Sequence, residues 1–503
     1  MTLTRRQFAV STAALASRPA LPASMASSRP NILFLMDDQH RGDCLGADGN
    51  KVIRTPTLDM LAREGVRFRS AYSSTPTCTP ARAGLLTGLS PWNHGMLGYS
   101  KVARKYPCEM PRLLRDAGYY TMAIGKLHYA PQRNLHGYHT ALLDESGREE
   151  SVDFRSDYHS WFYSQEPNVD PNATGVGWND YKGKAYVLPE RLHPTTWTAD
   201  CAVRFLDTYQ RNQPFFLKVS FARPHSPYDP PPRWMNAYAD AALPPAQVGK
   251  WAEHYRARSW DRDDIWHGDV GEEATRVSRQ AYYGSVSFVD EQMGRIVEAL
   301  TKRGWLENTL IVTASDHGDM TGDQFLWRKS YAYEPSARIP MTLRWPKGLI
   351  EARRGMVSGH PVELRDILPS FLDAAGVQAP ARLDGRSLLD VVRGKTANWR
   401  PYIDLEHDIC YGPSNHWNAL TDGGTKYIYH ARDGAEQLFD LTSDPHELHD
   451  RSAEPASANT LRLWRARMVE HLQVRGPEWV SGGKLVPRPQ GMRLSPNYPK
   501  AEA

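Results

Sequence analysis

The sequence has few cysteines and no long apolar run. Its five cysteines, among 503 residues, lie far apart and form no C-x-x-C pair, so a zinc ribbon or a thioredoxin-like redox site has no support. No segment reaches the roughly 20 consecutive apolar residues that a membrane-spanning helix needs. Internal repeats and low-complexity tracts are missing as well. We therefore expect a soluble mature protein without a stable membrane association.

A large charge of one sign is also missing. Lys and Arg number 61 and Asp and Glu 57, for a net charge of +4, and the basic residues do not gather in a stripe. Nucleic acid is therefore not an expected partner. The 41% hydrophobic and 23% charged residues are typical of a globular protein. Histidine is plentiful, at 18 residues, which is a first indication of metal or acid–base chemistry.

The N-terminus carries a targeting pattern. Paired arginines in Thr-Arg-Arg-Gln-Phe, positions 4–8, precede a short apolar run over residues 8–16 and an Ala/Ser/Pro-rich stretch that extends to residue 26. This pattern is typical of a twin-arginine export signal; the alternative is a disordered tail that happens to contain Arg-Arg. We expect residues 1–28 to be a signal peptide and the mature protein to be periplasmic or secreted.

Four apolar runs share one pattern, because each ends at a polar cluster. The runs are 31–36 before Asp37 and Asp38, 119–124 before Lys126, 214–221 before His225, and 309–314 before Asp316 and His317. Such runs are typical of buried strands in a parallel sheet. Ligands of α/β sheets bind at the carboxyl ends of the strands. The pattern therefore predicts an α/β enzyme with its chemistry at one sheet edge.

The remaining elements are less regular. The sequence predicts helices over 57–64 and 282–300 and a strand over 66–72. Residues 150–200 and 223–270, rich in Pro, Trp, Tyr, Asp and Gly, are interpreted as long surface insertions. Beyond residue 389, a strand over 425–430 and a helix over 460–474 indicate a smaller C-terminal α+β subdomain. We expect a catalytic domain over 29–390 and this subdomain over 391–503.

Two sequence segments resemble the signatures of a known family. Residues 78–88, Cys-Thr-Pro-Ala-Arg-Ala-Gly-Leu-Leu-Thr-Gly, resemble the type I sulfatase signature C-x-P-x-R with its trailing L-x-T-G. Residues 118–128, Gly-Tyr-Tyr-Thr-Met-Ala-Ile-Gly-Lys-Leu-His, are similar to the second signature, G-Y-x-T-x-x-x-G-K-x-H, with Leu127 where the family more often has an aromatic residue. With the Asp-Asp and Asp-His segments and a closing Asp-Pro-His-Glu, the resemblance extends from residue 29 to residue 450.

The resemblance implies a fold and a catalytic group. The fold is the alkaline-phosphatase-like α/β sandwich with a central, mostly parallel sheet. In this family a formylglycine-generating enzyme oxidises the signature cysteine, here Cys78, to formylglycine. Its aldehyde hydrates to a geminal diol, and a divalent cation lowers the pKa of one hydroxyl. The corresponding metal ligands are Asp37, Asp38, the modified Cys78, Asp316 and His317. Hard oxygen ligands favour Ca²⁺, with Mg²⁺ or Mn²⁺ as alternatives.

The same resemblance implies roles for five other polar residues. His128 corresponds to the base that removes a proton from the second hydroxyl of the diol. Lys126 and Arg82 correspond to residues that fix the two hydroxyls. His225 and Lys329 correspond to residues that bind the ester oxygens, one of them protonating the leaving group. A plain Cys or Ser has no second hydroxyl, which is why the modification matters.

These expectations define the function as hydrolysis of sulfate esters. Export favours a sulfated carbohydrate, and aromatic residues of the insertions could stack on sugars or simply pack; they are Trp161, Trp178, Tyr181, His193, Trp197 and Trp234. One alternative activity is an arylsulfatase or a choline-sulfatase-like enzyme. Another is a phosphonate monoester or phosphodiester hydrolase of the same superfamily. A third is a non-catalytic protein that recognises sulfated glycans.

Overall fold

A computed structural model of the chain describes residues 29–145, 147–412 and 415–500. Its strands are β1 (Asn31–Asp38), β2 (Val66–Phe68), β3 (Ala71–Tyr72), β4 (Tyr120–Gly125), β5 (Thr140–Leu143), β6 (Phe215–Pro224), β7 (Thr309–Ser315), β8 (Met341–Arg344), β9 (Met356–Ser358), β10 (Val362–Glu363), β11 (Ile403–His407), β12 (Trp417–Thr421), β13 (Thr425–His430), β14 (Glu436–Asp440), β15 (Val480–Ser481) and β16 (Lys484–Leu485). The predicted export signal, residues 1–28, lies outside the described residues.

The α-helices of the described residues are α1 (Pro56–Arg63), α2 (Cys78–Thr87), α3 (Pro91–His94), α4 (Met110–Asp116), α5 (Asp157–Gln165), α6 (Pro194–Thr208), α7 (Pro232–Asn236), α8 (Glu272–Lys302), α9 (Glu334–Ala337), α10 (Ile367–Ala374), α11 (Leu388–Val392) and α12 (Ala458–Gln473). None of these helices combines the length and the apolar character needed to cross a membrane. The five cysteines are all unpaired.

The central sheet has eight strands in the order β5-β4-β6-β1-β7-β8-β2-β9. The first five of these run parallel to one another, whereas β8 is antiparallel to both of its neighbours. The four apolar runs of the sequence are β1, β4, β6 and β7, and they lie side by side in the sheet. The predicted α/β class with a mostly parallel sheet is therefore confirmed.

Helices cover both faces of this sheet. Successive residues of a strand point to opposite faces, so Phe34 and Met36 of β1 join a core with α2, α4, α10 and α11. Leu33 and Leu35 join a second core with α1, α6 and α8. Because both faces of β1 are buried, its sequence reads as a continuous apolar run rather than as an alternating one. The result is an α/β sandwich.

The C-terminal part forms a smaller antiparallel sheet of β11, β12, β13 and β14 in that order. Helix α12 packs against it through Trp464, Met468 and Leu472. This confirms the predicted C-terminal subdomain, while its boundary at residue 390 stays a prediction. The subdomain also contacts the larger one: His407 Nε2 lies 2.7 Å from the Thr77 hydroxyl, and Trp417 Nε1 donates to the Ser330 carbonyl oxygen at 3.0 Å.

Two sequence expectations are corrected by the structure. Residues 66–72 are not one strand, because β2 pairs with β8 and β9 in the central sheet whereas β3 pairs with β10 in a separate one. The insertions are not only surface loops, since Tyr158, Trp197 and Tyr238 are buried and α6 packs in the same core as α8. The helix predicted over 282–300 is confirmed but begins ten residues earlier, at Glu272.

Candidate active site

The carboxyl ends of four adjacent strands bring the predicted polar residues together. Asp38 is the last residue of β1, Lys126 follows β4, His225 follows β6, and Asp316 follows β7. All four side chains are buried, and Lys126 Nζ lies 2.7 Å from Asp38 Oδ2. The parallel arrangement of the strands thus gathers residues that are far apart in the sequence into one cluster.

Cys78 is the first residue of α2 and is fully buried. Its Sγ lies 3.1 Å from His317 Nε2, 3.3 Å from Lys329 Nζ and 3.9 Å from Asp38 Oδ1. Burial and the Asp38 carboxylate raise the pKa of this thiol. The positive charges of Lys329 and Lys126, with that of His317, outweigh both effects and lower the pKa of Cys78 to about 7. A buried thiol among so many charged groups indicates a functional position.

Arg82, one turn further along α2, anchors two carboxylates. Its Nε donates to Asp316 Oδ2 at 2.9 Å, and its Nη2 donates to Asp38 Oδ2 at 3.0 Å. Its Nη1 donates to the Ser220 hydroxyl at 3.0 Å and to the Lys126 carbonyl oxygen at 2.5 Å. Burial raises the pKa of Asp38, but the neighbouring cations, Lys126 first among them, hold that pKa well below its usual value. Asp38 is therefore ionised and rigidly oriented.

Four residues form a group that can hold a metal ion. One potential ligand atom from each of Asp38, Cys78, Asp316 and His317 lies within 4.8 Å of the others, and all four residues are buried. Carboxylate oxygens with one imidazole nitrogen suit a hard divalent cation. Sequence analysis predicted all four of these residues as ligands.

Asp37, the fifth predicted ligand, lies outside this close group. Its Oδ2 is 2.7 Å from His40 Nδ1, and His40 Nε2 is 2.8 Å from the Cys44 carbonyl oxygen. Its Oδ1 is buried and has no hydrogen-bond partner among the described residues. A buried carboxylate oxygen without a partner is costly, and a cation beside Asp37 would remove that cost. The residues present therefore fit a divalent metal ion.

His128 has a backbone conformation that Glu145 stabilises. Its φ of 64° is in the left-handed region, which residues other than glycine rarely adopt. Glu145 Oε1 accepts the backbone N–H groups of Leu127 at 2.8 Å and of His128 at 2.7 Å. Both ring nitrogens of His128 are buried without a partner. Burial, followed by the charges of Lys126 and Arg148, lowers the pKa of His128 well below its usual value, so the ring is neutral and able to accept a proton.

His225 and Lys329 form a pair beside the thiol. Lys329 Nζ lies 2.6 Å from His225 Nε2 and 2.8 Å from Gln39 Oε1. The other ring nitrogen of His225, Nδ1, is 2.7 Å from the Ser226 carbonyl oxygen. Burial and the charge of Lys329 lower the pKa of His225. The Trp178 ring stacks on His225 with 4.4 Å between ring centroids, which shields the pair from water.

Sequence analysis did not identify some of the residues that shape the site. Ser220 and Glu145 have no local signal, because they act through Arg82 and through the backbone of His128. Gln39 directly follows the two acids of β1 and has a φ of 73°, which is a signal visible only in the structure. Trp178 was predicted as a sugar-stacking or packing residue, and the structure places it against His225.

A cleft of about 1330 Å³ reaches this site at Thr79 and His128 and is termed the His128 cleft. Tyr99, Tyr106 and Tyr129 line it, and the Tyr99 ring lies 6.4 Å from the His128 ring, centroid to centroid. Sites for small molecules usually enclose roughly 300–1,000 Å³. The His128 cleft therefore has room for a substrate larger than a single small ring.

Comparison with known proteins assigns this arrangement to a family. The family model described as Sulfatase matches residues 30–377, which is more than half of the chain. The chain belongs to the sulfatase family. A second model, described as the C-terminal part of N-sulphoglucosamine sulphohydrolase, matches residues 322–474. The second match covers the C-terminal sheet and α12, so the sulfatase likeness includes both subdomains.

Individual relatives agree with this assignment. An arylsulfatase of Clostridium perfringens is 37% identical over 471 residues, covering 91% of this chain and 97% of the relative. A choline-sulfatase of Rhizobium meliloti is 30% identical, covering 89% and 88% of the two chains. The solved phosphonate monoester hydrolase of Agrobacterium radiobacter matches with a TM-score of 0.76 and 26% identity, covering 89% of this sulfatase and 96% of that chain. The protein is thus a sulfuric ester hydrolase with the alkaline-phosphatase-like fold.

Proposed function

We propose that this sulfatase hydrolyses a sulfate ester of a carbohydrate with formylglycine, formed from Cys78, as its nucleophile. The position of Cys78 carries the proposal, because its Sγ lies 3.1 Å from His317 Nε2 and 3.3 Å from Lys329 Nζ. A hydrated aldehyde at this position supplies one hydroxyl that attacks sulfur and a second whose deprotonation releases the sulfate. The modification requires a formylglycine-generating enzyme during maturation, and the N-terminal pattern favours export to the periplasm or beyond.

A divalent cation held by Asp37, Asp38, Asp316 and His317 would lower the pKa of a formylglycine hydroxyl and offset negative charge on the ester. Ca²⁺ is our first choice because three of these four ligands are carboxylates. Asp38 and Asp316 are already oriented for this role by Arg82, and the unpartnered Oδ1 of Asp37 supports its inclusion.

The side chains of the site position the reactants and move protons. Arg82 and Lys126 fix the hydroxyls at position 78, and neutral His128 accepts the proton of the second hydroxyl. Lys329 and His225 lie beside the ester oxygens, and Lys329 donates to them. The neutral His225 donates from Nδ1 to the Ser226 carbonyl oxygen and accepts from Lys329 at Nε2. Burial lowers the pKa of Lys329, so Lys329 can release a proton to the departing alcohol. Trp178 keeps water away from the pair.

The size of the His128 cleft supports a carbohydrate as the alcohol. A volume of about 1330 Å³ exceeds the need of an aryl ring or of choline. Tyrosine side chains such as Tyr99 present flat surfaces to sugar rings. Export also favours environmental polysaccharides over cytosolic metabolites. An aryl sulfate or choline sulfate as natural substrate is the second candidate, favoured by the names of the two sulfatase relatives.

Rates on matched phenyl sulfate and phenyl phosphonate esters test the reaction class. We expect kcat/KM for the sulfate to be at least about tenfold higher, since a loss of one charged contact costs about that factor. A sulfate ester presents three non-bridging oxygens to the charged groups of the site, whereas a phosphonate replaces one of these oxygens with carbon. That carbon cannot accept a hydrogen bond from the charged groups, so one charged contact is lost. Faster turnover of the phosphonate would overturn the proposal in favour of a phosphonate hydrolase.

Removal of the metal is expected to abolish turnover and to lower thermal stability. A ligand at 100 times its Kd stabilises the folded state by about 2.7 kcal/mol, so adding Ca²⁺ to chelated protein should raise Tm by several degrees. Asp37→Asn should weaken Ca²⁺ binding, measured by calorimetry, because it removes the charge of the unpartnered oxygen. Asp261→Asn, on the exposed surface, is the matched control with unchanged affinity. Full activity in protein shown by elemental analysis to be metal-free would contradict the assignment.

A further inference from the structure

The His128 cleft concentrates positive charge that the catalytic residues do not account for. Two acids, Glu149 and Glu150, line it. Its basic lining residues are Lys101, Arg104, Lys105, Arg148, Arg493 and Lys500. The whole chain has a net charge of only +4, so this local excess is not a property of the general surface. A cleft with walls of one charge sign attracts ligands of the opposite sign.

The two acids of the cleft have partners other than its basic residues. Glu149 Oε1 lies 2.7 Å from His159 Nδ1, and Glu150 Oε2 accepts the backbone N–H of Gln132 at 2.9 Å. Among the ion pairs of the described residues, none includes Lys101, Arg104, Arg148, Arg493 or Lys500. The positive charge of these five residues is therefore available to a ligand.

Arg148 lies where the cleft meets the catalytic residues. Its Nη1 donates to the Tyr99 hydroxyl, its guanidinium carbon is 5.0 Å from the centroid of the Tyr99 ring, and that ring is a neighbour of His128. Its Nε is buried and has no partner in the described part of the chain. A largely buried guanidinium without a carboxylate partner is destabilising unless an anion binds to it.

We propose that the substrate carries a second anionic group, a sulfate or a carboxylate, on the sugar that bears the scissile ester or on the adjacent sugar, and that Arg148 binds it. The inference rests on the proposed function and specifies its substrate class. The scissile sulfate itself already has the pair of His225 and Lys329 beside it in the proposed function. Arg148 lines the cleft beside Tyr99, which neighbours His128, and Arg493 and Lys500 also line it. A polyanionic oligosaccharide fits this lining, whereas a cationic alcohol such as choline is repelled by it.

Steady-state kinetics on three matched sulfated sugars test this inference. The first sugar has one sulfate, the second has an additional sulfate, and the third has an additional carboxylate. For the wild-type protein we expect kcat/KM to be at least about tenfold higher for one of the dianionic sugars, since a charged hydrogen bond contributes that factor. The dianionic sugar with the higher kcat/KM shows whether the second group is a sulfate or a carboxylate. The preference should fall as salt is raised from 50 to about 200 mM, because salt screens charges in open clefts.

Arg148→Gln should lower the ratio of kcat/KM between the preferred dianionic sugar and the monosulfated one at least about tenfold. Arg148→Lys keeps the charge but loses the planar guanidinium with its paired N–H donors. Its ratio of kcat/KM between the two sugars should be intermediate. Lys302→Gln removes a positive charge from the exposed end of α8, outside the cleft, and should leave the ratio unchanged. Melting curves of all three variants establish that each is folded.

Two results would overturn the inference. One is a wild-type preference of less than twofold among the three sugars. The other is an Arg148→Gln variant that loses activity on all sugars by the same factor, which would mean that Arg148 contacts the scissile sulfate or only supports the fold. In both cases the protein still desulfates sugars and the proposed function stands. Absence of turnover on every sulfated sugar and aryl sulfate would instead contradict the proposed function itself.

Discussion

Replacing Cys78 with alanine is expected to lower kcat/KM for sulfate esters by about 10⁴-fold or more, because removal of a covalent nucleophile has effects of this size. The protein should remain folded. Cys78 is small and fully buried at the start of α2, so alanine fills nearly the same space without disturbing the helix. Initial rates with an aryl sulfate, together with melting curves, measure both parts of this expectation.

Cys201→Ala provides the matched control. Cys201 lies on α6 and is partly buried against the core on the far side of the sheet, so its loss removes a thiol without touching the site. Its rate should remain within twofold of the wild-type rate. A Cys78→Ala variant that kept more than a tenth of wild-type activity would show that position 78 is not the nucleophile.

Arg82→Met should destabilise the protein by about 3–5 kcal/mol, the usual cost of leaving buried charges without their partner. The guanidinium of Arg82 donates to Asp38 and Asp316 at 3.0 Å and 2.9 Å, and all three side chains are buried. Methionine has similar length but cannot donate, so two carboxylates lose a charged partner. Urea unfolding monitored by circular dichroism measures the change in the free energy of unfolding.

Bound metal offsets part of this loss, so the unfolding measurement is made with and without a chelator. The difference between Arg82→Met and wild type should be larger in the chelated protein. Arg462→Met, on the exposed face of α12, is the control and should change stability by less than about 0.5 kcal/mol. If Arg82→Met lowered the free energy of unfolding of the chelated protein by less than about 1 kcal/mol, Asp38 and Asp316 would not depend on Arg82 for their charge balance.

Much of the fold could be predicted because its central strands are buried on both faces. Strands β1, β4, β6 and β7 are mostly apolar, although Lys218 interrupts β6, and their ends are marked by acids, lysine or histidine. Short strands could not be predicted in this way. Strands β2 and β3 follow one another within residues 66–72, and whether they belong to one sheet or two depends on their partners β9 and β10, which come nearly 300 residues later. Pairing at that separation leaves no local pattern.

The site residues were predictable where the chemistry needs a particular side chain. Cys78, Asp316 and His317 lie in one cluster as expected. Residues that act on other residues could not be found from the sequence. Glu145 supports the backbone of His128 through two N–H groups, and many carboxylates far from His128 in sequence could have done so. The anion-binding role proposed for Arg148 likewise depends on its having no ion pair among the described residues, although Glu149 and Glu150 line the same cleft, and only the folded chain shows this.

The mass of the peptide that contains Cys78 tests the central claim most directly. The protein is produced with a formylglycine-generating enzyme, digested, and analysed by mass spectrometry alongside its turnover number. Oxidation of cysteine to formylglycine lowers the peptide mass by about 18 Da, because the –CH2SH side chain becomes an aldehyde, –CHO. We predict that specific activity rises in proportion to the fraction of peptide with the lower mass. Full sulfatase activity in protein whose Cys78 peptide has the unmodified mass would contradict the account.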